Sequence, residues 1–143
     1  MTSITTTMTE SHANCDGLLA RAENLAADQD WQGAAAAFDA FVEATEKHFS
    51  NEENILFPKT EGSLPPGGPV AVMELEHRQM RELIAILQDQ LSRQDQTEFL
   101  GEIETLLILM QQHNMKEEQI LYPMLDELLA ESSDKLMEEM DLT

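Results

Sequence analysis

The chain has 143 residues and a single cysteine, Cys15. One thiol excludes an internal disulfide and fits a reducing compartment, so a cytoplasmic protein is expected. Long hydrophobic runs are also missing. The longest aliphatic and methionine run, "LLILM" at Leu106–Met110, is far short of the ~20 residues that span a bilayer. The opening "MTSITTTM" has neither a basic nor an apolar stretch, and no signal peptide is expected from it. Basic residues are scarce: 8 Lys and Arg stand against 28 Asp and Glu, for a formal charge of −20. Such a surface repels nucleic acid and anionic lipid, which argues against both as partners. The acids are interspersed with apolar residues and not gathered into a tail, so they read as a solvated surface. This length suits one domain that buries roughly 68–70% of its unfolded surface without disulfide or oligomer.

Few residues are β-branched, and apolar positions recur every three or four residues, not every two. The fold class is therefore all-α. Residues 1–8 read as a disordered tail and 9–143 as the folded unit. Four main helices are expected, at about 9–27, 31–56, 70–92 and 96–121. Pro58 stops the second, because its ring and missing N–H cannot continue the ladder. "KTEGSLPPGGP", Lys59–Pro69, is the one breaker-rich loop. A short helical extension follows Pro123, with a break at Ser132-Ser133.

What the chain does contain is a repeat. "HFSNEENILFP" begins at His48, and "HNMKEEQILYP" begins at His113, 65 positions later. The other two of the four His, His12 and His77, obey the same offset, as do Met8/Met73, Leu18/Leu83 and Phe41/Leu106. The chain thus reads as two copies of a helical hairpin. One hairpin cannot bury its apolar face, and two packed together can, which predicts an up-down-up-down four-helix bundle.

Residues four apart share one helix face. His48 and Glu52 lie on the stripe of Phe41, Thr45 and Ile55; His113 and Glu117 lie on that of Leu106, Met110 and Leu121. His12 falls between Met8 and Leu19, and His77 between Met73 and Ile84. Six polar groups therefore interrupt apolar faces. Burying two carboxylates in such a core is costly without compensation. A metal cation compensates, by taking lone pairs from imidazole and charge from carboxylate. Six ligands exceed one tetrahedral zinc site and suit two metals sharing carboxylates, with iron first and manganese or zinc as alternatives. A lone His-x-x-x-Glu is common by chance, but here two copies and two further His fall in one frame. Glu53 and Glu118 lie one residue off the face and read as flanking charge, with support of the ligands as the alternative. The nine Met read as core filling.

"EKHFSNEENILFP", "LEHRQMRELI" and "QQHNMKEEQILYP", with "ESHANCDGLL" as a looser match, resemble the hemerythrin-like family of HHE cation-binding domains. The resemblance covers about residues 9–126. It implies a four-helix bundle around two Fe ions with an oxo or hydroxo bridge. Carried over, His12, His48, His77 and His113 would be terminal ligands, and Glu52 and Glu117 would bridge. Oxygen-carrying members have a further His where this chain has Met73. That departure implies a near-symmetric, more open pair, suited to binding, sensing or reacting with O2, NO or peroxide more than to reversible carriage. The alternatives are an iron-handling or iron-sensing module, or a protein related to iron–sulfur cluster repair. Repair-type relatives carry an N-terminal Cys-bearing domain, whereas about eight residues precede the first expected helix here. Asp16, four after His12, is either an added ligand or the partner of Arg81, its repeat equivalent; the ion pair is the preferred expectation. Cys15 reads as a small core residue. Ferritin-like bundles use Glu-x-x-His pairs and more carboxylate than imidazole, the inverse of this pattern.

Overall fold

The computed structural model of the chain describes residues 3–64 and 67–140. Every regular element among them is helical. The long helices are α1 (Ile4–Ala27), α2 (Trp31–Asn51), α3 (Pro69–Ser92) and α4 (Gln96–Lys116). Three begin on a side-chain cap: Ser3 accepts from the Thr6 N–H, Asp30 from that of Gly33 and Asp95 from that of Glu98. α3 begins on Pro69, where a missing N–H removes no helical bond.

The turns between α1 and α2 and between α3 and α4 are copies of one another. Gln29 and Gln94 adopt left-handed φ values of 60° and 53°. The N–H of Gln29 bonds Ala26 O and that of Asp30 bonds Leu25 O; Gln94 and Asp95 repeat this with Leu91 and Gln90. This pattern satisfies the last carbonyls of a helix and reverses the chain within three residues. The 65-residue repeat therefore reaches the backbone of the turns. Elsewhere, Ser11 early in α1 meets His48 late in α2, Gln96 at the start of α4 bonds Ala26 O at the end of α1, and Lys116 at the end of α4 pairs with Glu76 in α3.

The first helix starts earlier than expected. Residues 4–8, assigned above to a disordered tail, are helical, with Ile4 and Met8 fully buried; residues 1 and 2 lie outside the described residues. Three successive Thr in "ITTTM" are weak helix formers and masked the signal. The compensation is distant. Asp126 accepts from the N–H groups of Ile4 (2.6 Å) and Thr5 (3.1 Å), placing a negative charge on the positive end of α1.

After Asn51 and after Lys116 the ladder widens. The Phe57 N–H bonds Glu52 O, and the Tyr122 N–H bonds Glu117 O, each five residues back. These π turns, Glu52–Leu56 and Glu117–Leu121, again lie 65 residues apart. Each precedes a proline, Pro58 or Pro123, whose ring would clash with the carbonyl four residues earlier in a regular ladder. Widening the turn lets the chain continue, into a 3-10 turn at Phe57–Thr60 and into α5 (Tyr122–Leu128). So Pro58 does not end the second helical segment at residue 56, and the loop begins at Glu61, with residues 65 and 66 outside the described residues. The C-terminal extension forms α5, a 3-10 turn at Ala130–Ser132 and α6 (Ser133–Met140), with residues 141–143 outside the described residues.

The core has two apolar clusters. One holds Leu19, Phe38, Phe41, Phe49, Met80, Leu87, Phe99, Ile103 and Met110. The other holds Ile4, Met8, Leu56, Met73, Leu121, Tyr122, Leu125, Leu136 and Met140. On each long helix the His lies between a member of one cluster and a member of the other: Met8–His12–Cys15, Phe41–His48–Leu56, Met73–His77–Met80 and Met110–His113–Leu121. α5 and α6 cover the second cluster, and Asn51 Nδ2 donates to Met140 O at 3.2 Å. No helix of the described residues is long and apolar enough to cross a membrane.

Candidate metal centre

All six polar side chains picked from the sequence meet in the layer between the two clusters, and all are buried. Each imidazole turns Nε2 inward. His77 Nε2 is 3.0 Å from Glu52 Oε1, His113 Nε2 is 3.1 Å and His12 Nε2 3.0 Å from Glu117 Oε1, and His48 Nε2 is 3.5 Å from Glu52 Oε1. Two donor groups result, Glu52/His77/His113/Glu117 and His12/His48/Glu117, with the atoms of each within 4.8 Å of one another. Glu117 belongs to both.

Each Nδ1 faces outward to an oxygen. His12 Nδ1 donates to Glu118 at 2.7 Å, His77 Nδ1 to Glu53 at 2.6 Å and His113 Nδ1 to Glu76 at 2.9 Å; His48 Nδ1 meets the Ser11 hydroxyl at 2.8 Å. A carboxylate on Nδ1 fixes the proton there and leaves the Nε2 lone pair free to bind a cation. These supports obey the repeat as well: Glu53 pairs with Glu118, and Ser11 with Glu76. Glu53 and Glu118 thus brace the rings and are not mere flanking charge. The bracing is crossed between hairpins, since the His12 support comes from the second hairpin and the His77 support from the first. Lys116 pairs with Glu76, and Arg81 pairs with Glu53 and Glu46, both at 2.8 Å.

The expected Asp16–Arg81 pair does not form. Equivalent positions in the two hairpins face opposite sides of the site, so Arg81 meets Glu53 and Glu46, while Asp16 lines a surface recess with Asn114 and Glu118. Asp16 belongs to neither donor group among the described residues. Cys15 is a buried core residue, its thiol pushed up by burial.

Sequence reasoning missed the residue at the centre of this layer. The fully buried Tyr122 hydroxyl lies 2.8 Å from Glu52 Oε2, 2.9 Å from Glu117 Oε1, 3.1 Å from His12 Nε2 and 3.2 Å from His48 Nε2. At the regular 100° per residue, a residue five after Glu117 points about 140° away from it. The π turn removes that divergence by closing a five-residue ring between Glu117 and Tyr122. The one legible signal was the repeat itself: Tyr122, the only tyrosine, stands where the first copy has Phe57.

The charges are arranged unevenly. Burial, with the Glu117 charge beside it, pushes Glu52 well above the ordinary carboxylate range. Burial acts upward on Glu117 too, but the polar side chains of Glu52, His113, His12 and His48 close around it outweigh this and hold the carboxyl well below that range. Burial lowers His48, and lowers His77 to about 4. Burial also pulls on His113, but the Glu117 and Glu76 carboxylates hold it above its ordinary value. Burial and the two acids push Tyr122 well above the ordinary phenol range.

Buried Glu52 Oε1, His77 Nε2, His113 Nε2 and Glu117 Oε2 have no hydrogen-bond partner. The two ring nitrogens nevertheless lie 3.0 and 3.1 Å from carboxylate oxygens. Lone pairs that converge without a proton between them fit a shared cation. Mixed imidazole and carboxylate donors suit iron, manganese or zinc.

A family model described as the hemerythrin HHE cation binding domain matches residues 3–125. No curated protein and no solved structure matches the chain.

Proposed function

The chain belongs to the hemerythrin HHE cation-binding family, and on that premise we propose that it holds two iron ions and binds, senses or reacts with O2, NO or peroxide. One observation carries the reading: two buried donor groups share Glu117, and every ring in them is braced on its outer nitrogen. His77, His113 and Glu52 would hold one ion, His12 and His48 the other, and Glu117 both. Such a pair supplies reversible one-electron redox chemistry and a Lewis-acidic place for a small ligand. The chain's own residues do the rest. Glu53, Glu118, Glu76 and Ser11 keep the rings in register, and the two apolar clusters exclude water, which strengthens every charge interaction in the layer.

An apolar recess of about 350 Å³, lined by Val72, Met73, Ile120 and Leu121 among others, reaches the wall of the cluster that contains Tyr122. Met73 stands where oxygen carriers would add a His, so no fifth imidazole closes the pair. The test is to load the protein with iron under anaerobic conditions, count the metal, then add O2, NO or azide. New near-ultraviolet and visible bands are expected. Two irons per chain with a silent spectrum would sink the reading and leave iron handling as the better one.

A further inference from the structure

Tyr122 has more neighbours than its hydroxyl can serve. The group has one proton, yet four polar atoms lie within 3.2 Å: two carboxylate oxygens and two ring nitrogens. One contact takes the proton. Because His12 Nδ1 donates to Glu118, the His12 Nε2 that faces the phenol oxygen is a lone pair in the neutral ring. The phenol oxygen, His12 Nε2 and Glu117 Oε1 therefore converge as electron donors on one small volume, with His48 Nε2 3.2 Å from the same oxygen. The donor groups are also unequal, with four residues at the His77/His113 end and three at the His12/His48 end. The fourth place at the second end is where the Tyr122 oxygen lies. At the equivalent position, Phe57 stacks on His77, ring centroids 6.1 Å apart and planes 19° apart, and offers no oxygen.

We infer that Tyr122 is itself a metal ligand, its phenolate oxygen completing the His12/His48/Glu117 group, so that the two metal positions are chemically unlike. This rests on the metal-binding reading above. On loading, the hydroxyl proton is displaced to solvent and the oxygen–metal bond takes its place; no electron is transferred. A phenolate is a hard, anionic donor that favours trivalent over divalent iron. The ion at this end is then the harder of the two to reduce, and the pair responds to reductant in two steps, not one.

Tyr122 is the only tyrosine, so any tyrosinate signal has one source. The experiment uses the whole chain, loaded with iron, assayed for metal and oxidised in air. The wild type should show a broad phenolate-to-iron(III) absorption band and tyrosinate vibrations in its resonance Raman spectrum. Tyr122→Phe should lose both while remaining helical and retaining iron; Phe57 shows that the ring alone fits such a place. Zinc provides a second reading without redox chemistry. Titrating zinc into the metal-free chain should give the ultraviolet difference spectrum of tyrosine ionisation, absent from Tyr122→Phe. Bound iron without tyrosinate vibrations, or bound zinc without the difference spectrum, overturns the inference and leaves the two-metal reading standing. A chain that takes up neither metal overturns both.

Discussion

The two hairpins carry the same scaffold and different chemistry. Their turns, the Asp30 and Asp95 caps, the π turns, the His and the buried Glu52 and Glu117 repeat at one offset. Among the positions around the centre that differ in kind are Phe57 against Tyr122, Phe49 against Asn114, Ser11 against Glu76, and Asp16 against Arg81. The shared part fixes where donor atoms sit. The unshared part decides how each half of the layer is charged. Burial lowers His48, which has the neutral Ser11 on its outer nitrogen, whereas the Glu117 and Glu76 carboxylates hold its equivalent, His113, up. Placement and tuning are thus assigned to different residues, and they can be altered separately.

The sharpest break in the comparison is at the two buried acids. Glu117 belongs to both donor groups and Glu52 to one. Glu117→Ala should therefore remove metal from both ends, while Glu52→Ala leaves residual binding at the His12/His48 end. Metal analysis after desalting, with circular dichroism to confirm the fold, tells the two apart; equal losses would mean that the halves are equivalent. Removing metal from the unaltered chain comes next. It leaves the acids and converging lone pairs in the core without a cation, and a ligand present at 1,000 times its Kd contributes about 4 kcal/mol. The melting temperature should fall by on the order of 10 °C. An unchanged melting curve after chelation would contradict this.

The outer supports should matter less and unequally. Glu53→Gln and Glu118→Gln each loosen one ring, at opposite ends, and outer partners of metal-bound His are worth about 10–100-fold in affinity. Ser11→Ala removes a neutral partner from His48 and should fall at the low end of that range. Competition with a chelator of known affinity ranks the three. The smallest effects belong to two half-buried residues at the rim, Arg81 and Asp16. Arg81→Ala frees Glu53 and should cost under ~1 kcal/mol, because its ion pairs are partly solvated. Asp16→Ala should leave metal content unchanged. A loss there equal to that of Glu117→Ala would make Asp16 a ligand after all.

Much of this was legible in the sequence, for physical reasons. Apolar periodicity and the repeat located the long helices, and polar residues on an apolar face marked the six side chains that meet in the buried layer. What escaped depended on distance or on backbone detail. Helix at residues 4–8 rests on Asp126, over a hundred positions away. Tyr122 escaped because a regular helix would turn it aside, and nothing in "KEEQILYP" announces a π turn except the proline that follows. Asp16 and Arg81 shared a register position, which was mistaken for a shared side of the bundle.

The crossed bracing of His12 by Glu118 and of His77 by Glu53 has a consequence for stoichiometry. A lone hairpin holds half a site with a self-complementary face. Two separate copies related by a twofold axis would have to associate before any ion had a full set of donors. Joining them through the Glu61–Gly68 connection makes that encounter intramolecular, at an effective concentration far above that of the free chain. At a fixed free metal concentration, occupancy should therefore not depend on the concentration of the chain.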